Sequence, residues 1–567
     1  MLNNQRNVTE NRSAVALFFI IAVVSIFLRF YGLKFGEPHL YHPDEIKLVA
    51  QAGRLLETRF LDRETYFGIG VYPPFYTYLF AFVLAGYIFI SLLTGRFESL
   101  DHVQRLYSCD PFQFFLLGRV LTALLGVLSV WLLFKIVRLL YSKRVAWFSA
   151  AFFAVDFTHV RHSHFFTVDA PATFFVLCAF YFISRSLFGQ KPRDYLFAAV
   201  FSALAVATKF STFFIGLPFL YAHFTARRKN GTSPGVGYFN KNFWLYLVVG
   251  LLVLLLACPL FVLDFGETIG GLIGTHNFEK VGKLGTGGGL LSYWTGDQSP
   301  GFGVFYPNSI PAADGIVLTL LAALGLLVQI LRHRKADVLL ILFPIFTYLF
   351  FERMSYKAIR HILPVLPFLA VARAVAMDFL TEKISNTIKI KHKIAAFLVV
   401  LLVGFAATRD VASLSELSKT DPRTDAVAWM NDHLPELSRL CTESFPPEIG
   451  NVSDKDSCEE IVSQKKKKFH LFPLQLTTRE DSLFMKLEQY IIKNRIEYYI
   501  ADSFTRDIFA WKYTRVKYPN VVQDREKFFQ WLESHSIRLI TFPSTSGKQH
   551  PSISIYKLNA ESYDASN

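Results

Sequence analysis

Tyr41-His42-Pro43-Asp44-Glu45 puts two carboxylates side by side, just after an almost unbroken apolar run over residues 14–31. A carboxylate at the edge of an apolar layer has its proton affinity set by burial and by neighbouring charge. Held near a hydroxyl, it can act as a general base. A third acid, Asp169, opens another apolar run in Thr167-Val168-Asp169-Ala170-Pro171. Each has a plainer reading. Asp44 and Glu45 suit the first turn of a helix, and Asp169 suits a helix N-cap. Capping alone does not explain acids recurring at one end of several apolar runs, so the spacing favours a catalytic pair with Asp169 beside it. Cations recur at the same kind of place: Arg119 in Leu117-Gly118-Arg119-Val120, Lys209 in Ala207-Thr208-Lys209, and Arg360-His361 before Ile362-Leu363-Pro364. A lysine at a helix end can simply snorkel to an interface. A charge set between two apolar spans is costly unless it is used.

The elements that must position these groups follow from composition. The chain has 567 residues, 52% of them hydrophobic and 16% aromatic. Its apolar residues come in runs of bilayer length separated by short basic loops, which makes it a polytopic helical membrane protein. The net charge of +14 belongs mostly to those loops and is no argument for nucleic acid. Eleven spans are expected, near 14–31, 115–140, 145–162, 170–188, 195–208, 211–226, 243–263, 312–331, 337–351, 362–379 and 394–408. The first reads as a retained anchor, since no small-residue cleavage site follows it. With a cytoplasmic N-terminus, every basic cluster falls inside, among them Lys135–Arg144, Lys191–Arg193, Arg227–Lys229 and Arg332–Lys335. The apolar segment 75–94 is long enough to span, yet counting it would put all those clusters outside. It is therefore expected to lie along the outer interface, within a first outer loop over 32–114. The consecutive Pro73 and Pro74, after Tyr72, shape its entry. Asp44, Glu45, Asp169, Lys209 and 352–361 then share the outer face, and the same count places the chain in the cytoplasmic membrane with residues 409–567 outside.

That tail is polar and of mixed charge. A helix start at Asp421-Pro422-Arg423-Thr424-Asp425 and strand-like runs at 497–500, 537–542 and 553–556 predict a soluble α/β domain. Cys178 and Cys258 read as packing residues within spans. Cys441 and Cys458 are equally consistent with a disulfide and with two thiols. His159, His162 and His164 could with Asp169 offer zinc ligands, but a polar loop packed near the site is the stronger reading. A divalent cation stays open and no other cofactor is indicated. Gly285-Thr286-Gly287-Gly288-Gly289 lacks the ending of a phosphate-binding loop and reads as a linker, or as a flap with Tyr293 and Trp294 near sugar. Lys465–Lys468 reads as a solvated run.

In order and spacing, residues 10–410 resemble the GT-C superfamily of membrane glycosyltransferases. They are most similar to the group of protein O-mannosyltransferases and lipid A aminoarabinose transferases. The resemblance rests on the Asp44-Glu45 pair in the first outer loop, Tyr72-Pro73-Pro74-Phe75-Tyr76, Leu117-Gly118-Arg119-Val120 and Asp169 heading the fourth span. Asp421-Pro422-Arg423-Thr424-Asp425-Ala426-Val427-Ala428-Trp429 looks like the start of the tail domain in bacterial members. The resemblance implies a polyprenyl-phosphate sugar as donor and a glycan, lipid or protein as acceptor. Asp44 would be the base of an inverting displacement, Glu45 would orient the acceptor or tune Asp44, and Asp169 would bind acceptor or a cation. Lys209, Arg360, His361 and Arg119 would meet the donor phosphate, where the arginine fork suits phosphate oxygens. The alternatives are a membrane transporter, against which the charges gather at one face, and a glycolipid-binding protein without catalysis.

Overall fold

The computed structural model describes residues 2–57, 73–228, 239–259, 303–354, 357–383, 391–443, 447, 467–474, 487–510, 519–545 and 550–559. The chain runs through helices α1 (Leu2–Phe30), α2 (Pro43–Glu57), α3 (Phe75–Leu93), α4 (Leu100–Cys109), α5 (Phe112–Leu140), α6 (Lys143–Ala154), α7 (Phe157–His162), α8 (Asp169–Phe188) and α9 (Pro192–Thr208). A 3-10 turn (Phe210–Ile215) leads into α10 (Gly216–Arg228), then α11 (Lys241–Ala257), α12 (Phe305–Asp314), α13 (Ile316–Arg332) and α14 (Lys335–Arg353). A second 3-10 turn (Ile359–Val365) enters α15 (Leu366–Lys383), followed by α16 (Lys391–Leu417) and α17 (Pro422–His433).

Among the described residues, five stretches are long and apolar enough to cross a membrane: Phe75–Leu93, Phe112–Leu140, Asp169–Phe188, Ile359–Lys383 and Lys393–His433. Val15–Phe30, Phe210–Ala226, Lys241–Ala257 and Ile316–Arg332 are apolar but shorter. Length and composition alone thus permit α3 the crossing that the charge count argues against. Three expected spans are interrupted. The run 145–162 breaks before Asp156, whose side chain caps α7 by accepting from the His159 amide at 3.1 Å. The run 312–331 breaks at Gly315, with φ of 88°, a backbone conformation glycine adopts without steric cost. The run 211–226 begins as a 3-10 turn because Lys209 is extended.

The chain divides into two compact units. The first comprises residues 1–33, 44–87 and 117–412; the second comprises 34–43, 88–116 and 413–567. In the first, most residues of Ile359–Lys383 are buried, which makes it the centre of the helical packing. Gly325 of α13 is what allows close approach there, since a Cβ at that position would land on the Ala372 carbonyl of α15. Lone charges inside the apolar elements find one another, as burial demands. Arg373 of α15 pairs with Asp156 at 3.3 Å and with Asp314. Arg29 donates to the Ala154 carbonyl at 2.9 Å and meets His159 Nδ1 at 3.1 Å.

The second unit is built on a five-stranded sheet, β1 (Arg439–Thr442), β2 (His470–Pro473), β3 (Tyr498–Asp502), β4 (Ser536–Phe542) and β5 (Ile553–Leu558), in the order β2-β1-β3-β5-β4. β1 is parallel to β2 and β3, and β5 is antiparallel to β3 and β4. The alternation of side chains along a strand gives two apolar faces. Cys441, Tyr499 and Tyr556 meet Phe528 and Leu532 of the helix Pro519–His535. Leu440, Tyr498, Ile500 and Ile555 meet Ala426 and Met430 of α17. Helices therefore cover both faces, the α/β arrangement expected of the tail. β1 and β2 were not expected: each is four residues long and carries no clean alternation.

Asp421 caps α17 and holds Arg423 through both oxygens, at 2.9 and 2.7 Å. Arg423 lies 3.7 Å over the Tyr41 ring, and Tyr41 meets Thr424 at 3.0 Å. Cys441 is a buried free thiol, so it forms no disulfide with Cys458; Cys109 is disulfide-bonded. Lys467 donates to the Leu434 carbonyl at 2.8 Å, so part of the lysine run is tied to the fold. Cys458, Lys465, Lys466, Tyr72, Gly285–Gly289, Tyr293 and Trp294 lie outside the described residues.

Candidate active site

Asp44 and Glu45 occupy the first turn of α2, where the exposed amides and the helix dipole favour negative charge. They face different ways, because neighbours on a helix are separated by 100°. Glu45 turns inward and is 1% exposed. Its two oxygens take Arg119 Nε at 2.9 Å and Nη2 at 2.8 Å, and Oε1 also accepts from the Phe166 amide at 2.8 Å. Arg119, itself 0% exposed, gives Nη1 to the Leu33 carbonyl at 2.8 Å. The Leu-Gly-Arg motif has a packing reason: a Cβ on Gly118 would stand 2.5 Å from the Phe166 ring. Gly118 thus admits the residue whose amide bonds Glu45.

Asp44 is half-buried, and Oδ2 lies 3.7 Å from Arg360 Nη1. That separation is an ion-pair contact without a tight hydrogen bond. Arg360 and His361 project from the 3-10 turn before α15, which starts after extended Ala358. Asp169 begins α8, and its Oδ1 meets Lys209 Nζ at 2.5 Å. Lys209 caps the end of α9 in extended conformation, and Thr212 Oγ1 donates to its carbonyl at 3.0 Å. The Lys209 ammonium also stands 5.7 Å from the Phe351 ring centre, and that ring stacks on His361 at 5.0 Å. Lys209, His162 and Arg360 all act electrostatically on Asp169, and Lys209, Asp169, Arg360 and His162 on His361. The helical unit therefore gathers Asp44, Asp169, Lys209, Arg360, His361 and His162 into one charged cluster. Such a cluster can accept a proton at Asp44 and neutralise phosphate oxygens at Lys209 and Arg360.

Two expected site residues stand apart from that chemistry. Glu45 and Arg119 satisfy each other in a fully buried, bidentate pair. Arg119 is therefore spent on Glu45 and backbone, with no surface left for phosphate, and Glu45 has no face toward an acceptor. The histidines also separate. His159 meets Arg29 through Nδ1, and the ring nitrogens of His164 lie 2.9 Å from the carbonyls of Val160 and Tyr31. Only His162 joins the cluster. Among the described residues no three His, Cys, Asp or Glu side chains converge as metal ligands.

A family model described as dolichyl-phosphate-mannose-protein mannosyltransferase matches residues 116–262, a stretch that carries Arg119, Asp169 and Lys209. The fold is similar to that of an oligosaccharyltransferase from Archaeoglobus fulgidus, with TM-score 0.51 and 15% identity over 90% of this chain and 72% of that one. It is also similar to ArnT from Cupriavidus metallidurans, with TM-score 0.50 and 15% identity over 88% and 95%. A search of curated proteins finds no match. Residues 116–262 thus resemble that mannosyltransferase family in sequence, and the fold is similar to both of those solved structures. Sequence reasoning missed Glu352. It is 0% exposed at the end of α14, and neither carboxylate oxygen has a hydrogen-bond partner among the described residues. Its charge acts on Tyr306, Tyr348 and Lys357. A lone acid closing an apolar run was the available signal, the same signal that singled out Asp169. Arg29, Asp156, Asp314 and Arg373 carried it too, and their pairing makes them structural.

Proposed function

We propose that this protein transfers a sugar from a polyprenyl-phosphate carrier to a hydroxyl acceptor, a glycan, lipid or protein, at the outer face of the cytoplasmic membrane. The observation that carries this reading is the meeting of Asp44 with Arg360 beside Asp169 with Lys209. One loosely paired carboxylate next to two cations is what displacement at an anomeric carbon with a phosphate leaving group requires. Asp44 takes the acceptor proton as the oxygen attacks, and the bond to phosphate breaks on the opposite side, inverting the centre. Arg360 and Lys209 receive the phosphate charge, with His361 beside them. Asp169 holds Lys209 in place. Glu45 and Arg119 position α2 against α5, so that Asp44 faces the cluster. A carrier whose tail stays in lipid presents its sugar at the ends of helices, which is where these groups stand. Transport is the weaker reading, because Arg373, Asp156 and Asp314, buried within the helical unit, pair with one another.

The test is release of free polyprenyl phosphate when purified protein meets a mixed pool of polyprenyl-phosphate sugars and cell-envelope lipids and proteins. Release with sugar appearing on an acceptor supports the reading. Donor binding with no release would overturn transfer, leaving a glycolipid-binding protein.

A further inference from the structure

Between α5, α8 and α9 lie two neighbouring open cavities that the transfer chemistry does not use. One, of about 380 Å³, is an apolar groove among α5, α8 and α9, walled by Leu128, Leu132, Phe174, Phe182 and Phe201. The other, of about 500 Å³, is basic and lined by Lys135, Arg138, Arg185 and Lys191, with Asp194 the one acid. Lys135 and Tyr181 line both, so the greasy groove opens onto the charged one. Asp194 is taken by Arg185 at 2.9 Å. Lys135, Arg138 and Lys191 form no ion pair with a described carboxylate, and Lys135 stands 5.3 Å from the Trp131 ring centre. Lys135 follows Arg119 by 16 residues on α5, about 24 Å along the axis. The basic cavity therefore lies at the opposite end of the helices from the candidate active site, and the groove runs from it toward mid-helix.

We propose that the paired cavities hold one anionic phospholipid of the surrounding bilayer, its phosphate among Lys135, Arg138 and Lys191 and an acyl chain in the groove. Charge complementarity fixes the sign of the headgroup, and the shared wall fixes an amphiphile over a free anion. The lipid wedges α5, α8 and α9 together, the three helices that deliver Arg119, Asp169 and Lys209 at their other ends.

The full chain in detergent is given phosphatidylglycerol, phosphatidylethanolamine, polyprenyl phosphate or inorganic phosphate, and bound lipid is counted by native mass spectrometry. The expected result is retention of phosphatidylglycerol about tenfold stronger than of phosphatidylethanolamine, undisturbed by inorganic phosphate. It falls to the zwitterionic level in the surface variant Lys135→Gln/Arg138→Gln/Lys191→Gln. Cys178→Phe, which fills the groove and keeps every charge, loses it as well. Equal retention of the two phospholipids, unchanged retention in the triple variant, displacement by inorganic phosphate, or stronger retention of polyprenyl phosphate would each overturn the proposal.

Discussion

Glu45 and Asp44 are neighbours in sequence and opposites in environment, and substitution separates their roles. Glu45→Gln leaves the buried Arg119 guanidinium without its counter-charge, which costs about 3–5 kcal/mol. The expected outcome is loss of folded yield and a lower melting temperature. Asp44 is partly exposed and loosely paired, so Asp44→Asn should melt like the wild type while transfer falls by about 10²–10⁴-fold, the usual share of a general base. Arg360→Gln should weaken kcat/KM for the donor by about 10–100-fold, the scale of one charged hydrogen bond, with melting unchanged. If Arg360→Gln left the donor KM and kcat alone, the phosphate role of Arg360 would fall.

At the scale of elements, the close contact of Gly118 with Phe166 and of Gly325 with Ala372 makes two helix faces intolerant of any side chain. Gly118→Ala should push Phe166 away, loosen its amide from Glu45 and lower thermal stability, as would Gly325→Ala through α13 and α15. Melting curves of both variants check this; wild-type curves would show that the contacts yield. The sheet of the second unit gives a pH prediction. Glu443, just after β1, accepts from Tyr499 at 2.9 Å and from the Asp502 amide at 2.6 Å. Burial first, and the nearby Asp502 charge second, raise its pKa from 4.5 to about 8. Between those values the folded chain keeps a proton that the unfolded chain releases. This contribution to stability is full below about pH 4.5 and is lost as pH rises through 8. Melting from pH 6 to 9 should therefore fall less steeply in Glu443→Gln than in the wild type. The elements themselves were uneven in legibility. The long apolar helices and β3, β4 and β5 were readable because their patterns run for many residues. β1 and β2 were not, being four residues each, and the breaks at Asp156 and Gly315 depend on a single cap and a single φ.

Across the whole molecule, the cluster was readable as a set of charges at the ends of apolar runs, but not as a set of partners. Asp44 with Arg360 joins residues far apart in the chain, and nothing local announces that Arg119 belongs to Glu45 and not to a phosphate. The charge count over the loops predicts a cytoplasmic N-terminus, so a reporter fused after residue 420 should read the outer compartment; a cytoplasmic signal would move the cluster to the wrong side for the proposed donor. The most direct test of the central claim is sugar transfer in a single turnover from a polyprenyl-phosphate donor, comparing wild type with Asp44→Asn at equal donor occupancy. The account predicts transfer by the wild type with inversion at the anomeric carbon, and its collapse in Asp44→Asn. Equal transfer by both proteins would contradict it.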